Sequence, residues 1–168
     1  MNHASENKAQ VGILMGSQSD LPKMQKAADV LKSFDVPHET FVLSAHRLPD
    51  KVAEYAKQAE DRGIQVIIAG AGMANHLAGA LAANCILPII GVPLSGSPLN
   101  GADALYATVQ MPPGVPVATV AIDGAANAAY LAIEILALQD FQIKERFKAF
   151  KQSEREKLET TLVTQKPE

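Results

Sequence analysis

Residues 42–50, VLSAHRLPD, place a hydroxyl, an imidazole and a guanidinium directly after the apolar end of a predicted buried strand. These groups belong to Ser44, His46 and Arg47. An imidazole titrates near neutral pH and can both give and take protons, and a guanidinium can hold a phosphate through two parallel hydrogen bonds. Each residue alone is typical of an ordinary surface loop. Together, at the end of a strand, they favour a site that binds an anionic ligand and moves a proton.

A second polar stretch, GSQSD at residues 16–20, follows the first apolar run of the chain. Ser17 and Ser19 offer hydroxyls beside the free N–H groups of a predicted helix start, where the partial positive charge attracts phosphate. Residues of these types are also common helix caps, and either Ser19 or Asp20 suffices for that role. Asp20 repels phosphate, so within a site it is better suited to ribose hydroxyls. The stretch is therefore compatible with ligand binding and with simple capping.

A third stretch, GAGMANHLAG at residues 70–79, combines glycines with a histidine. Gly70 and Gly72, with Ala71 between them, let a ligand approach bare backbone. His76 begins a predicted helix, where the dipole disfavours a protonated imidazole. The stretch is not a dinucleotide fingerprint, because asparagine occupies the third glycine position and the motif follows the third predicted strand rather than the first.

Short apolar segments alternate along the chain with segments of helical periodicity. The predicted strands cover residues 11–15, 38–43, 65–70, 88–92 and 117–122. The predicted helices cover residues 20–34, 50–63, 76–84, 102–110, 125–138 and 140–163, with Asp20 or Ser19 capping the first and Asp50 the second. Apolar strands that alternate with helices indicate a parallel sheet covered on both faces. We therefore expect a three-layer, doubly wound α/β fold with five parallel strands in the flavodoxin-like order 2-1-3-4-5 and extra C-terminal helices.

This strand order brings the three polar stretches together. It makes the first three strands neighbours, and open α/β sheets bind their ligands beyond the carboxyl ends of the strands. The predicted site comprises Ser17, Ser19, Asp20, Ser44, His46, Arg47, Gly70, Ala71, Gly72 and His76. No two histidines or acids show the spacing of metal ligands, so we expect no metal.

Length and composition suit a single globular domain. The chain has 168 residues, of which 48% are hydrophobic and 20% charged. We assign the domain to residues 11–163, between a disordered N-terminal tail at 1–10 and a frayed end at 164–168. The net charge of -3 lacks the basic excess typical of nucleic-acid binding. No stretch approaches the ~20 apolar residues of a membrane span, and the start shows no secretory pattern, so we expect a cytoplasmic protein.

Other classes of site fit the sequence less well. The single cysteine, Cys85, lies in an apolar run and is more typical of a small buried side chain than of a nucleophile. A receiver domain needs acids after its first strand, where this chain has Gly16 and Ser17. A serine hydrolase of this fold needs a G-x-S-x-G elbow, which the sequence lacks. His3 and His38 lie in the tail and at a strand start, and neither position suggests chemistry.

The C-terminal helices indicate self-association. Residues 125–138 are apolar almost all round, whereas a surface helix of a small domain should show a polar stripe. The next helix, 140–163, carries Phe141, Ile143, Phe147 and Phe150 among many charges, which is too much apolar surface for a free arm. We expect a homo-oligomer in which this helix packs on a neighbouring subunit. The alternative is a monomer whose last helix folds back over the first.

Several segments together resemble the class I 5-(carboxyamino)imidazole ribonucleotide mutases, the PurE family of purine biosynthesis. They extend from about residue 11 to residue 140 and comprise MGSQSD, SAHRLPD, VIIAGAGMANHLAG, IGVPL, LNGADALYATVQMPPGVPVATVAI and AANAAYLAIEIL. The family usually has Thr at the position of Leu48, and often Gly-Ala-Ala where this chain has Met-Ala-Asn at residues 73–75.

The resemblance implies an isomerase. Enzymes of this family convert 5-(carboxyamino)imidazole ribonucleotide to 4-carboxy-5-aminoimidazole ribonucleotide without a metal or organic cofactor, and the resemblance implies the same reaction here. The resemblance implies that Ser17, Asp20 and Arg47 bind the ribonucleotide, that His46 transfers the proton, and that residues 70–72 help to confine carbon dioxide. It also implies a homo-octamer with active sites near the subunit junctions.

Two alternatives remain open. Class II enzymes of the family carboxylate aminoimidazole ribonucleotide with free carbon dioxide, but they usually carry Lys after the histidine, where this chain has Arg47. A non-catalytic nucleotide-binding module of flavodoxin type is the other alternative. Such a module has no need of a proton-transfer group at His46.

Overall fold

The computed structural model describes residues 8–164, so most of the predicted tails at 1–10 and 164–168 lies outside that range. The strands are β1 Val11–Met15, β2 His38–Val42, β3 Val66–Gly72, β4 Ile89–Leu94 and β5 Ala118–Thr119. The helices are α1 Leu21–Ser33, α2 Pro49–Ala59, α3 Leu77–Ala82, α4 Ala102–Val109, α5 Ala125–Leu136 and α6 Phe141–Thr164. A short 3₁₀ turn, Gln18–Asp20, precedes α1.

All five strands are parallel and lie in the order β2-β1-β3-β4-β5, which confirms the predicted topology. Helices α1, α5 and α6 pack on one face of the sheet around Ile68 and Ile133. Helices α2 and α3 pack on the other face around Leu14 and Ile67. The central strands β1, β3 and β4 are apolar on both faces because helices exclude water from both sides of them.

The prediction that the second strand is buried is wrong. Strand β2 lies at the edge of the sheet, and Phe41 and Val42 on it are 42% and 41% exposed. An apolar run shows only that a segment must be covered, and burial within the chain is one of two ways to cover it. The other way is contact with a second molecule.

Strands β3 and β4 each end two residues later than predicted, and β5 is shorter than predicted. Strand β3 continues through Gly72, because residues 70–72 pair with residues 92–94 of β4. The predicted glycine-rich loop is therefore largely a strand. Strand β5 is limited to Ala118–Thr119, and the rest of the predicted strand at 117–122 leaves the ladder.

The start of α2 also differs from its predicted cap. Helix α2 begins at Pro49 and has Leu48 at the N-cap position, so Asp50 lies in its first turn rather than at the cap. Proline suits the first helical position because that N–H has no helical acceptor. The Asp50 carboxylate still lies beside the positive end of the helix dipole.

Gln10 joins the sheet one residue before β1. The Gln10 N–H donates to the Pro37 carbonyl at 2.8 Å, and the Gln65 N–H donates to the Gln10 carbonyl at 2.8 Å. Gln10 thus begins the ladder that β1 continues with both of its neighbours.

Helix α6 covers part of its own chain. Phe150 stacks on Tyr130 with ring centroids 4.9 Å apart, and Phe147 and Phe150 both contact Phe34 at the end of α1. Phe147 and Phe150 are therefore covered within the subunit, as in the fold-back alternative, whereas Phe141 at the start of the helix is 73% exposed. Residues 151–161 are exposed along the helix. Packing of this helix on a neighbouring subunit stays a prediction. None of the helices within residues 8–164 has the length and apolar character needed to cross a membrane.

Candidate active site

Two main-chain hydrogen bonds bring the three polar stretches to one edge of the sheet. The Leu43 N–H donates to the Met15 carbonyl at 2.8 Å, and the Gly16 N–H donates to the Gly70 carbonyl at 3.0 Å. These bonds extend the β1–β2 and β1–β3 ladders just beyond their last paired residues. The segments that carry the predicted site residues therefore leave adjacent strands at the same end.

A pair of histidines lies at this edge. His46 Nε2 and His76 Nδ1 are 2.8 Å apart, and the two rings meet edge to face with centroids separated by 4.8 Å. Such a hydrogen bond needs a proton on one ring nitrogen and a lone pair on the other. Both rings are exposed, so a ligand can reach them. The sequence placed both residues in the site but gave no reason to join them.

The SAHR segment forms a turn that presents the Arg47 side chain to solvent. The Leu48 N–H donates to the Ser44 carbonyl at 2.8 Å, and the Arg47 N–H makes a long contact of 3.4 Å with the Ser44 hydroxyl. Arg47 takes no part in the ion pairs found among the described residues. Its guanidinium is therefore available to an anionic ligand.

The GSQSD segment forms a capping box. Ser17 is the cap of the 3₁₀ turn, its N–H donates to Asp20 Oδ2 at 3.0 Å, and its hydroxyl accepts from the Ser19 hydroxyl at 2.9 Å. Asp20 is the reciprocal acceptor of this capping box, and it also occupies the N-cap position of α1, as predicted, without a capping hydrogen bond there. Burial raises the pKa of the Asp20 carboxyl, and the hydrogen bond from Ser17 and the charge of Lys23 oppose that effect.

The end of β3 packs closely against both neighbouring strands. A Cβ atom placed on Gly16 would lie 3.2 Å from Ala71 Cβ, and one placed on Gly72 would lie 3.2 Å from the Leu94 carbonyl oxygen. Gly70 and Ala71 are buried, so only Gly72 of this trio is partly open to solvent. A ligand can therefore reach the backbone most directly at Gly72.

The residues between β3 and His76 are held by an asparagine that the sequence analysis did not assign to the site. Asn75 is 1% exposed, and its side-chain amide donates to the Thr108 hydroxyl of α4 at 2.9 Å. Met73, two residues earlier, adopts a left-handed backbone with φ of 53° and is 62% exposed. The contact with α4 fixes the position of His76, because Asn75 directly precedes it.

A second polar group at this edge was also missed, and we call it the Lys23 cluster. It consists of Lys23 on α1, Ser95 after β4 and Asp123 before α5. The Lys23 ammonium donates to the Ser95 carbonyl at 2.8 Å, contacts the Ser95 hydroxyl, and lies 3.0 Å from Asp123 Oδ1. Asp123 accepts from the Ser95 N–H at 2.9 Å and from its hydroxyl at 2.5 Å. No motif joins these residues, which are far apart along the chain.

Comparison with known proteins identifies relatives over most of the chain. Residues 10–157 match the family described as AIR carboxylase. The N5-carboxyaminoimidazole ribonucleotide mutase of Pyrococcus abyssi is 58% identical over 84% of this chain and 82% of its own length. The phosphoribosylaminoimidazole carboxylase of Ogataea methanolica is 54% identical over 81% of this chain but only 25% of its own length. The crystal structure of Treponema denticola PurE superposes with a TM-score of 0.85 at 32% identity, covering 94% of this chain and 98% of that one.

The Asp20 carboxyl generates a prediction about stability. Because burial raises its pKa in the folded protein, ionising it costs folding free energy, and this cost appears as the pH rises above the ordinary carboxyl pKa of about 4. Asp20→Asn keeps the acceptor for the Ser17 N–H and removes the charge. We expect the variant to be more stable than the wild type at pH 7 by up to about 1 kcal/mol, since solvent screens a part-exposed group.

This advantage should shrink as the pH falls towards 4 and the wild-type carboxyl takes up its proton. Urea unfolding at the two pH values measures it. Asp61→Asn, at an exposed carboxylate, is the matched control. An advantage of Asp20→Asn that is equal at both pH values would show that the buried charge is not its cause.

Proposed function

The chain belongs to the AIR carboxylase family, and we propose that it acts in purine biosynthesis as the mutase that converts 5-(carboxyamino)imidazole ribonucleotide to 4-carboxy-5-aminoimidazole ribonucleotide. The reaction is an isomerisation, in which a carboxylate moves from the exocyclic nitrogen to ring carbon 4. The observation that carries the proposal is the hydrogen-bonded pair His46–His76 beside the free guanidinium of Arg47. It supplies a proton carrier and an anion-binding group at the ligand-binding edge of the sheet.

The proposed chemistry has two halves that share one proton carrier. In the first, the N–C bond of the carbamate breaks, carbon dioxide is released, and His46 delivers a proton to the nitrogen. In the second, carbon 4 attacks the carbon dioxide, the new C–C bond forms, and the proton on carbon 4 returns to His46. The ring then regains its aromaticity. His76 supports this exchange, because its Nδ1 lies 2.8 Å from His46 Nε2. It can donate a hydrogen bond to that nitrogen or accept one from it.

The remaining site residues bind and enclose the ribonucleotide in this proposal. Arg47 holds the phosphate through two hydrogen bonds. Asp20 accepts from the ribose hydroxyls, with Ser17 and Ser19 contributing their own hydroxyls. Ser44, Gly72 and His76 form the walls around the base, with Gly70 and Ala71 buried behind them. Water exclusion by these walls limits the escape of carbon dioxide between the two halves of the reaction.

A carboxylase that uses free carbon dioxide is the second candidate, and the relative from Ogataea methanolica favours it. That protein carries the name of a carboxylase, but this chain matches only 25% of its length. The mutase from Pyrococcus abyssi is matched over 82% of its length, so we prefer the mutase. A direct assay separates the two activities. The mutase forms its product from the carbamate without added bicarbonate, whereas the carboxylase forms it from aminoimidazole ribonucleotide only when bicarbonate is supplied.

The proton-transfer role predicts the behaviour of His46→Asn. We expect turnover to be abolished, because the amide cannot exchange a proton at neutral pH. Ribonucleotide binding should stay within about tenfold of wild type, which corresponds to ~1.4 kcal/mol. Turnover is followed by chromatographic separation of the two carboxylated ribonucleotides, and binding by calorimetry. His38→Asn replaces a histidine at the opposite end of β2 and is the control. Near-normal turnover of His46→Asn would remove His46 from the mechanism.

The phosphate-binding role predicts a selective loss in Arg47→Ala. A hydrogen-bonded charge pair contributes about 1.5–3 kcal/mol per bond, so we expect ribonucleotide binding to weaken by a few kcal/mol. The corresponding riboside, which lacks the phosphate, should bind the variant and the wild type equally. Calorimetry with both ligands on both proteins gives the four values needed. An equal loss for ribonucleotide and riboside would contradict the phosphate assignment.

We also propose that the protein is a homo-octamer in the cytoplasm. The oligomer is supported by apolar side chains that one subunit leaves exposed near the site. Leu48 and Met73 on the site segments are 48% and 62% exposed, and Leu99 after β4 and Tyr106 on α4 are 64% and 65% exposed. A second copy of the chain would cover them and restrict water at the site. The location is supported by the biosynthetic role of the relatives.

Light scattering on the purified protein tests the assembly. The chain has a mass of 17.8 kDa, so an octamer gives about eight times that value. A double substitution, Leu99→Ser with Tyr106→Ser, should lower the assembly state because it removes two of the exposed apolar groups. Lys32→Ser, at an exposed position near the end of α1, is the control. A mass of 17.8 kDa for the wild type would overturn the proposal.

A further inference from the structure

The Lys23 cluster crosses the end of the sheet directly over β3. Lys23 lies on α1, which follows β1, and Ser95 follows β4. Strand β3 lies between β1 and β4, and α1 and α5 cover the same face. The hydrogen bonds from Lys23 to Ser95 therefore span the carboxyl end of β3 on that face. The site residue at this end of β3 is Gly72.

Ser95 is close to Gly72. The two strands pair in register up to Gly72 and Leu94, so Ser95 is the first residue beyond the ladder. A Cβ atom placed on Gly72 would lie 3.2 Å from the Leu94 carbonyl oxygen and 4.0 Å from that of Ser95. The Ser95 backbone is thus part of the wall behind Gly72, and the Lys23 ammonium bonds to its carbonyl.

The cluster satisfies its own hydrogen-bonding groups. The Lys23 ammonium has three protons, and it contacts three acceptors: the Ser95 carbonyl, the Ser95 hydroxyl and Asp123 Oδ1. Hydrogen bonds from Ser95 and Lys23 lower the pKa of Asp123 even though burial works against its charge. Lys23 is therefore occupied by the protein itself and has no donor left for the phosphate of a ligand.

Asp123 itself is held in an unusual backbone conformation. Its φ is 57°, in the left-handed region that a non-glycine residue adopts at a cost. Its N–H donates to the Pro93 carbonyl of β4 at 2.9 Å. The turn before α5 is thus fastened to β4 by main chain and to Ser95 and Lys23 by side chain. Strained backbone of this kind persists only where the surroundings fix it firmly.

We propose that Lys23 is a positioning residue that, through Ser95 and Asp123, closes the wall of the active site behind Gly72 and retains the carbon dioxide released midway through the reaction. The inference rests on the proposed mutase function. Carbon dioxide is small and uncharged, so packed walls rather than charges hold it. If the wall opens after the N–C bond has broken, the carbon dioxide diffuses out of the site. Aminoimidazole ribonucleotide, with its new proton on nitrogen, then remains.

An isotope experiment measures this escape directly. The carbamate substrate carries ¹³C in its carboxylate, and the reaction runs in buffer with unlabelled bicarbonate. Wild-type enzyme should return the label to carbon 4 in nearly all product molecules. In Lys23→Met the side chain keeps its length and loses its charge, and the unlabelled fraction of the product should rise about tenfold or more. Mass spectrometry of the product reads this fraction independently of the overall rate.

Two further variants complete the experiment. Asp123→Asn removes the charge that Lys23 contacts, keeps one acceptor oxygen, and should also dilute the label. If Lys23→Met fails to fold, the label retained by Asp123→Asn decides the question. Lys26→Met removes an exposed lysine from the same helix and should retain label like the wild type.

The outcomes separate this inference from the proposed function. Full retention of label by folded Lys23→Met or Asp123→Asn, at whatever rate, would overturn the positioning role while the mutase function stands. A wild-type protein that forms no product from the carbamate would overturn both. Label loss in the two cluster variants but not in Lys26→Met supports the inference, because a loss of stability alone slows turnover without changing the isotopic composition of the product.

Discussion

The candidate site depends on the parallel pairing of β1 with its two neighbours. Strands in a sheet lie about 4.8 Å apart, so segments that leave three adjacent strands at one end start within about 10 Å of each other. The bonds from Leu43 to Met15 and from Gly16 to Gly70 carry the pairing to the point where those segments begin. The site is therefore positioned by the rigid sheet, and the loops need only turn inward. Glycine is favoured at position 16, because a Cβ atom there would lie only 3.2 Å from Ala71 Cβ.

The sequence was sufficient to predict the sheet order and the convergence of the polar stretches. Alternation of apolar runs with amphipathic helices leaves few topologies, and the ligand position follows from the order. The pairing of His46 with His76 could not be predicted in the same way. Their side chains are 30 residues apart along the chain, and their contact depends on two turns, one of which is fixed by the buried hydrogen bond between Asn75 and Thr108. Hydrophobic periodicity carries no information about such turns.

The sequence also does not show which surface covers an apolar segment. The pattern indicated that the aromatic side chains of α6 must be covered, which holds within the chain for Phe147 and Phe150 but not for Phe141. Composition does not say which surface covers them. Phe34 at the end of α1 and Tyr130 on α5 cover Phe147 and Phe150 within the chain. Phe41 and Val42, which the pattern placed in the core, are exposed because β2 is an edge strand. Both results follow from the three-dimensional order of elements, which decides whether an apolar face meets its own chain or remains open.

The two cations at the carboxyl edge illustrate what side-chain geometry adds to a sequence. Lys23 and Arg47 each lie close to a proposed substrate-binding segment, and either could be assigned to a phosphate from its type alone. The three protons of the Lys23 ammonium contact acceptors on Ser95 and Asp123. Arg47 forms no ion pair within the described part of the chain and faces solvent. A cation whose donors are satisfied by the protein stabilises the position of its partners, whereas one whose donors are free gains most from an incoming anion. The same charge therefore supports structure at one position and ligand binding at the other.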